Sequence, residues 1–157
     1  MKNILSVLCL LLVGQLAAQC PPNLDFEFGN FNNWVAKTGK YTGGTISNLV
    51  TGVSAGRHTI INAASKEPLN PTSDKDFFGD FPLLCPNGSK QSVKLGSVEI
   101  NYIARTLSYT IKIPANANNY SITYWYAVVF QDPGHPVLDQ PKFTAKLLDK
   151  NNVALNC

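Results

Sequence analysis

Two carboxylates, Asp25 and Glu27, stand two residues apart in NLDFEFGNFNNW (residues 23–34), directly after Cys20-Pro21-Pro22. In an extended chain they project to one side while Leu24, Phe26 and Phe28 project to the other. Paired oxygen donors on one strand face suit a hard cation such as calcium, which collects six to eight oxygens. The same alternation also describes the wet face of an ordinary first strand, with Phe26 and Phe28 anchored in a core.

Three other stretches carry reactive residue types. Gly52-Val53-Ser54-Ala55-Gly56, with His58 close behind, fits the G-x-S-x-G pattern of a nucleophile elbow. That chemistry needs a helix after the Ser, whereas Arg57-His58-Thr59-Ile60-Ile61 is strand-like, so the stretch reads as a Gly-rich hairpin connection. Asp74-Lys75-Asp76-Phe77-Phe78-Gly79-Asp80 begins like a calcium loop, but Phe78 and Cys85 stand where such a loop needs oxygen ligands. A solvated acidic loop is expected. In Phe130-Gln131-Asp132-Pro133-Gly134-His135, Pro and Gly set the torsions of a turn and Asp132 accepts local backbone bonds, with His135 as a loop hydrogen-bonding residue. Among the aromatics, Trp34 and Tyr41 near loop ends are expected to face a ligand, a flat ring being a stacking platform for sugars; core packing is expected of Trp125.

Period-two alternation governs the elements that must hold these groups. Ile103–Ile113 reads as a strand with one wet face, Tyr120–Phe130 as a strand buried on both sides at its centre, and Lys142–Asp149 repeats the pattern. Weaker strands are expected at 35–41, 45–50, 58–62 and 92–98. Residues 63–91 read as one large loop or a weakly paired excursion. Short strands separated by Pro, Gly and Asn turns, with no 3.6-residue stripe and no room for crossover helices, predict an all-β fold, an antiparallel β-sandwich.

MKNILSVLCLLLVGQLAAQ has one Lys, an apolar run and small residues at 17 and 18, the pattern of a signal peptide over residues 1–19. Its apolar run is too short for a bilayer span. A secreted chain of about 138 residues follows, enough for one domain, residues 20–157. Removing Lys2 from 13 basic residues leaves 12, dispersed, against 10 acidic, which speaks against nucleic acid as a partner. Three cysteines then remain, Cys20, Cys85 and Cys157, an odd number for an oxidising compartment. With Cys157 last in the sequence, the chain is expected to be a piece of a longer protein.

CPPNLDFEFGNFNNW, GRHTI, SVKLG, IPANANNYSITYWYAVVFQDPGH and QPKFTAKLLD together resemble the N-terminal module of large secreted surface proteins of the Bacteroidetes, exported by the type IX system and associated with PKD repeats or gliding-motility regions. The resemblance covers nearly all of residues 20–157. It implies a galactose-binding-type jelly roll, incomplete at its C-terminal end, with further domains of the same polypeptide downstream. It also implies a structural calcium held by Glu27, with Asp25, and a partner on a closing strand beyond this sequence. Val35 and Ala36 stand where family members carry a Cys, and the resemblance then implies Cys20 paired with Cys85. The function expected is non-catalytic adhesion at the cell surface through a glycan or extracellular polymer. The alternatives are an accessory domain of a secreted peptidase or glycosidase, or a folded spacer.

Overall fold

A computed structural model describes residues 20–86, 88–97, 102–115, 119–132 and 134–155. The leader 1–19 and Cys157 lie outside the described residues. Strands β1 (Trp34–Thr42), β2 (Thr45–Thr51), β3 (His58–Asn62), β4 (Gln91–Leu95) and β5 (Ile103–Tyr109) form two antiparallel sheets, ordered β2-β1-β5 and β3-β4. The fold is all-β: among the described residues the one helical element is a 3-10 turn, Val137–Asp139. No helix among them is long and apolar enough to cross a membrane.

β1 is the central strand because Trp34-Val35-Ala36-Lys37-Thr38 alternates and no Pro interrupts it. It pairs without a break against β5, from Trp34↔Tyr109 to Lys40↔Ile103, and Tyr41 N–H donates to Tyr102 O (2.7 Å) beyond that. Gly43 and Gly44, both at positive φ, close the β1-β2 hairpin in two residues. Against β2 the register shifts between Thr38 and Lys40, where Asn48 (φ 53°) and Leu49 face Gly39 across a bulge. A Cβ at Gly39 would lie 2.6 Å from Ser47 O, so this crossing requires glycine.

The four weaker strand expectations match β1 to β4 closely, while the stronger ones are corrected. Ile103–Ile113 is strand only to Tyr109. Tyr120–Phe130 forms no strand, and Trp125, expected in the core, is 66% exposed. Lys142–Asp149 makes only an isolated bridge, Leu148↔Ala154. Alternation expresses what a strand's side chains prefer, but a ladder needs a neighbouring backbone, and no described segment pairs with 120–130.

The opening stretch is also corrected. Residues 22–30 form successive turns instead of a strand, with Asn23, Phe26 and Gly29 at positive φ. Asn23 and Gly29 take this conformation readily, Phe26 follows between them, and the density of Asn and Gly here outweighs the short alternation Leu24–Phe28. The Gly52–Gly56 connection joins β2 of one sheet to β3 of the other, so it is a crossover between sheets and not a hairpin. The 63–90 segment is weakly paired, through the bridges Glu67↔Asn70 and Lys75↔Pro82. Fully apolar burial is confined to Ala36, Ile61 and Ala104 among the described residues.

Candidate functional site

The most enclosed polar side chain is Asn23, completely buried at the centre of the opening turns. Its Nδ2 donates to Asn30 O (3.0 Å) and Asn32 O (2.6 Å), and its Oδ1 accepts from Phe28 N–H (3.0 Å). Its carbonyl accepts from Trp34 Nε1–H (2.7 Å), which ties the turns to β1. Phe26 stacks on the Trp34 indole at 4.5 Å, and Tyr109 meets the same ring edge-on at 5.0 Å. The Tyr109 hydroxyl donates to Pro22 O (2.6 Å). One buried amide therefore does for this segment what a strand ladder does elsewhere, satisfying backbone groups that turns leave open.

These turns form one side of a shallow groove, broadly open to solvent, of about 610 Å³. Its walls are Gly29–Asn32, the start of β1 at Trp34–Ala36, Thr51 at the end of β2, Gly52 and Val53 of the crossover, and Ile60 of β3. All of the lining residues are uncharged. Phe31, Trp34, Val53 and Ile60 give it apolar surface, and Asn30, Asn32 and Thr51 give it amides and a hydroxyl. The Asn32 side-chain amide has no hydrogen-bond partner among the described residues, whereas Asn30 donates to Phe28 O (3.3 Å) and accepts from Asn32 N–H (2.9 Å). Of these residues only Trp34 is legible in the sequence. The rest converge through the crossover between sheets.

Trp34 and Tyr41 do not form one platform. Seven residues apart on a regular strand, they project to opposite faces and lie about 23 Å apart along it. Trp34 lines the groove as a wall, with one ring face against Phe26. Tyr41 lies under the Lys142 ammonium, 4.7 Å from its ring centroid, which occupies that face.

Asp25 and Glu27 are brought into contact. The hydrogen bond to Glu27 raises the Asp25 carboxyl above its ordinary value, helped by partial burial and by the Glu27 charge. The same bond holds Glu27 below its ordinary value, with the Asn23 N–H adding to it against partial desolvation. Glu27 accepts that Asn23 N–H directly. Partial desolvation, and then the nearby Glu27 charge, raise Tyr109. No group of three or more His, Cys, Asp or Glu side chains suited to a metal occurs among the described residues. The donors at 25 and 27 are hard oxygens of the right chemistry, but two carboxyls do not complete a calcium shell. Cys20 is exposed and Cys85 half-buried, with no disulfide between them.

The side chains of the remaining motifs accept backbone N–H groups within their own turns. His58 is buried in β3, and its Nδ1 accepts from the Ser54 backbone N–H (3.1 Å), which leaves the ring proton on Nε2. Nε2, the nitrogen a triad turns toward the serine hydroxyl, is buried with no hydrogen-bond partner among the described residues, and Nδ1, which a triad turns toward a carboxylate, takes a backbone N–H instead. Asp76 accepts from Phe78 and Gly79 N–H (3.0 and 2.8 Å) within its own turn. Lys94 reaches both Glu67 (3.5 Å) and Asp76 (3.9 Å), closing the excursion onto β4. Asp132 accepts from Gly134 and His135 N–H, and these bonds hold its carboxyl below the ordinary value. Comparison with family models, with curated proteins and with solved structures finds no match.

Proposed function

We propose that this chain is a non-catalytic extracellular binding module whose ligand is a surface glycan or extracellular polymer, seated in the groove between the Asn23-centred turns and the sheet crossover. The observation that carries the reading is the groove itself: about 610 Å³, uncharged, with an indole, a phenyl ring and the open Asn32 amide along it. Sugar rings present apolar C–H faces and hydroxyls, and such a lining suits both. His58, whose Nε2 meets no hydroxyl among the described residues and whose Nδ1 takes a backbone N–H where a triad has a carboxylate, supports the non-catalytic part. The signal-like leader and the resemblance to Bacteroidetes surface proteins support secretion to the cell surface, a jelly-roll domain and a place at the front of a longer polypeptide. Asp25 and Glu27 would take part in holding a structural calcium, the remaining oxygens coming from other groups.

Affinity electrophoresis in gels containing neutral polysaccharides tests the reading. The chain is expected to be retarded by at least one of them. Val53→Arg, at a groove residue 53% exposed, is expected to abolish the retardation without lowering the melting temperature. Unretarded migration through every polysaccharide would remove the glycan proposal.

A further inference from the structure

Residues 119–130 have the side-chain alternation of a strand and no neighbouring strand to pair with among the described residues. No backbone hydrogen bond joins them to any described residue. Tyr124, Trp125 and Tyr126 are all more than half exposed, and Val128, Val129 and Phe130 are close to it. The stretch NYSITYWYAVVF holds no charge, no Gly and no Pro, the devices by which natural edge strands discourage pairing. Phe143 stacks on Tyr126 at 5.1 Å, which brings residue 143 against the segment, but no described residue bonds to its backbone, so an edge is open to pairing.

We propose that this edge pairs with the same edge of a second copy of the chain, antiparallel and centred on Trp125. The sequence is self-complementary about that point. In a two-fold antiparallel ladder Tyr124 faces the other copy's Tyr126, Ile122 its Val128 and Tyr120 its Phe130, all on one face. Large side chains then meet large side chains at every pair on that face, the arrangement that stabilises cross-strand neighbours. Trp125 stands opposite its own counterpart on the other face. An isologous contact of this kind closes after two copies and does not propagate.

The exposed area leaves room for such a contact. The chain exposes 12756 Å², where a compact monomer of 17.1 kDa exposes about 7,800 Å². Counting residues 1–19 at the full area of an extended chain, in place of their share of that figure, accounts for about 2,200 Å² of the difference. The remaining roughly 2,700 Å² exceeds the ~800 Å² each partner contributes to a standard interface.

Charge reversal at the symmetry point tests the register. The chain expressed from the whole sequence is followed by sedimentation velocity at about 50 µM, above the micromolar dissociation constant of a modest interface. The wild type is expected to be dimeric. Trp125→Lys and Trp125→Glu each set like charges directly opposite one another and are expected to be monomeric, with self-association weakened at least tenfold. Mixed in equal amounts, the two variants are expected to recover a heterodimer, which misfolded variants would not do. A monomeric wild type, a Trp125→Lys variant as dimeric as wild type, or a mixture that stays monomeric would overturn the proposal.

Discussion

Replacing Asn23 should be among the costliest single changes in the chain. Its side chain is fully buried and makes three bonds of 2.6 to 3.0 Å, to Asn30 O, Asn32 O and Phe28 N–H. At about 0.5–1.5 kcal/mol net for each, the Ala variant loses about 1.5–4.5 kcal/mol. Asn23 also sits at φ 61°, a conformation that costs a residue with a Cβ about 1 kcal/mol more than it costs Asn or Gly. Asn23→Ala is therefore expected to lose about 3–5 kcal/mol, a fall in Tm of roughly 10–15 °C for a domain of this size. Asn23→Gly removes the same hydrogen bonds without the torsional cost and should be about 1 kcal/mol more stable than Asn23→Ala. Urea titration followed by tryptophan fluorescence is the assay, since Trp34 donates to the Asn23 carbonyl. A loss below about 1 kcal/mol in the Ala variant would refute the assignment of Asn23 as the centre of the opening turns. A Gly variant no better than Ala would refute the torsional part alone.

Gly39→Ala drives a Cβ to 2.6 Å from Ser47 O and is expected to cost about 2–3 kcal/mol in the same titration; a neutral result would deny the tight crossing at the β2 bulge. Asp132, held below its ordinary 3.8 by the His135 and Gly134 N–H groups, binds its proton more weakly folded than unfolded. Its contribution is complete above about pH 4 and is lost as pH falls through the depressed folded value. Asp132→Asn should flatten the acid limb of Tm below about pH 4, and an unchanged limb would contradict it. Calcium at a hundredfold excess over its dissociation constant should raise the unfolding free energy by about 2.7 kcal/mol relative to chelator, and Asp25→Asn with Glu27→Gln should remove the difference. A Tm that does not respond to calcium in the wild type would sink the metal site.

Side-chain alternation made β1 to β4 legible to within three residues, because each run is bounded by turn residues and lies beside another strand of the same chain. Gly43-Gly44 between 35–41 and 45–50 is a turn signal strong enough to have joined those two runs as a hairpin. Alternation failed at Leu24–Phe28, where three alternating apolar residues compete with Asn23, Gly29, Asn30, Asn32 and Asn33. Amide side chains there bond backbone groups locally and remove the need for a ladder. It failed differently at Tyr120–Phe130, whose side chains satisfy every preference of a strand and whose backbone finds no described partner. The groove was half legible: Trp34 stands out by type, but nothing local in Asn32, Thr51, Val53 or Ile60 announces that the crossover at 52–57 gathers them.

The way the groove is held together has a dynamic consequence. Its sheet side rests on the β1-β5 ladder, seven paired residues with Ala36 and Ala104 buried between neighbours. Its turn side rests on the amide bonds of Asn23 and the ring contacts of Phe26 and Trp34, with little apolar surface beneath. Hydrogen bonds contribute modestly net because the open form regains them from water, so the turn side should open at lower free energy than the ladder. Residues 22–33 are then the part of the groove whose order a ligand can increase, and a ligand bridging Asn32 to Val53 would tie the mobile wall to the fixed one. Binding should slow amide exchange at Phe28 and Gly29 more than at Lys37 or Thr106. Equal protection of both walls would mean that the groove is already rigid before it is filled.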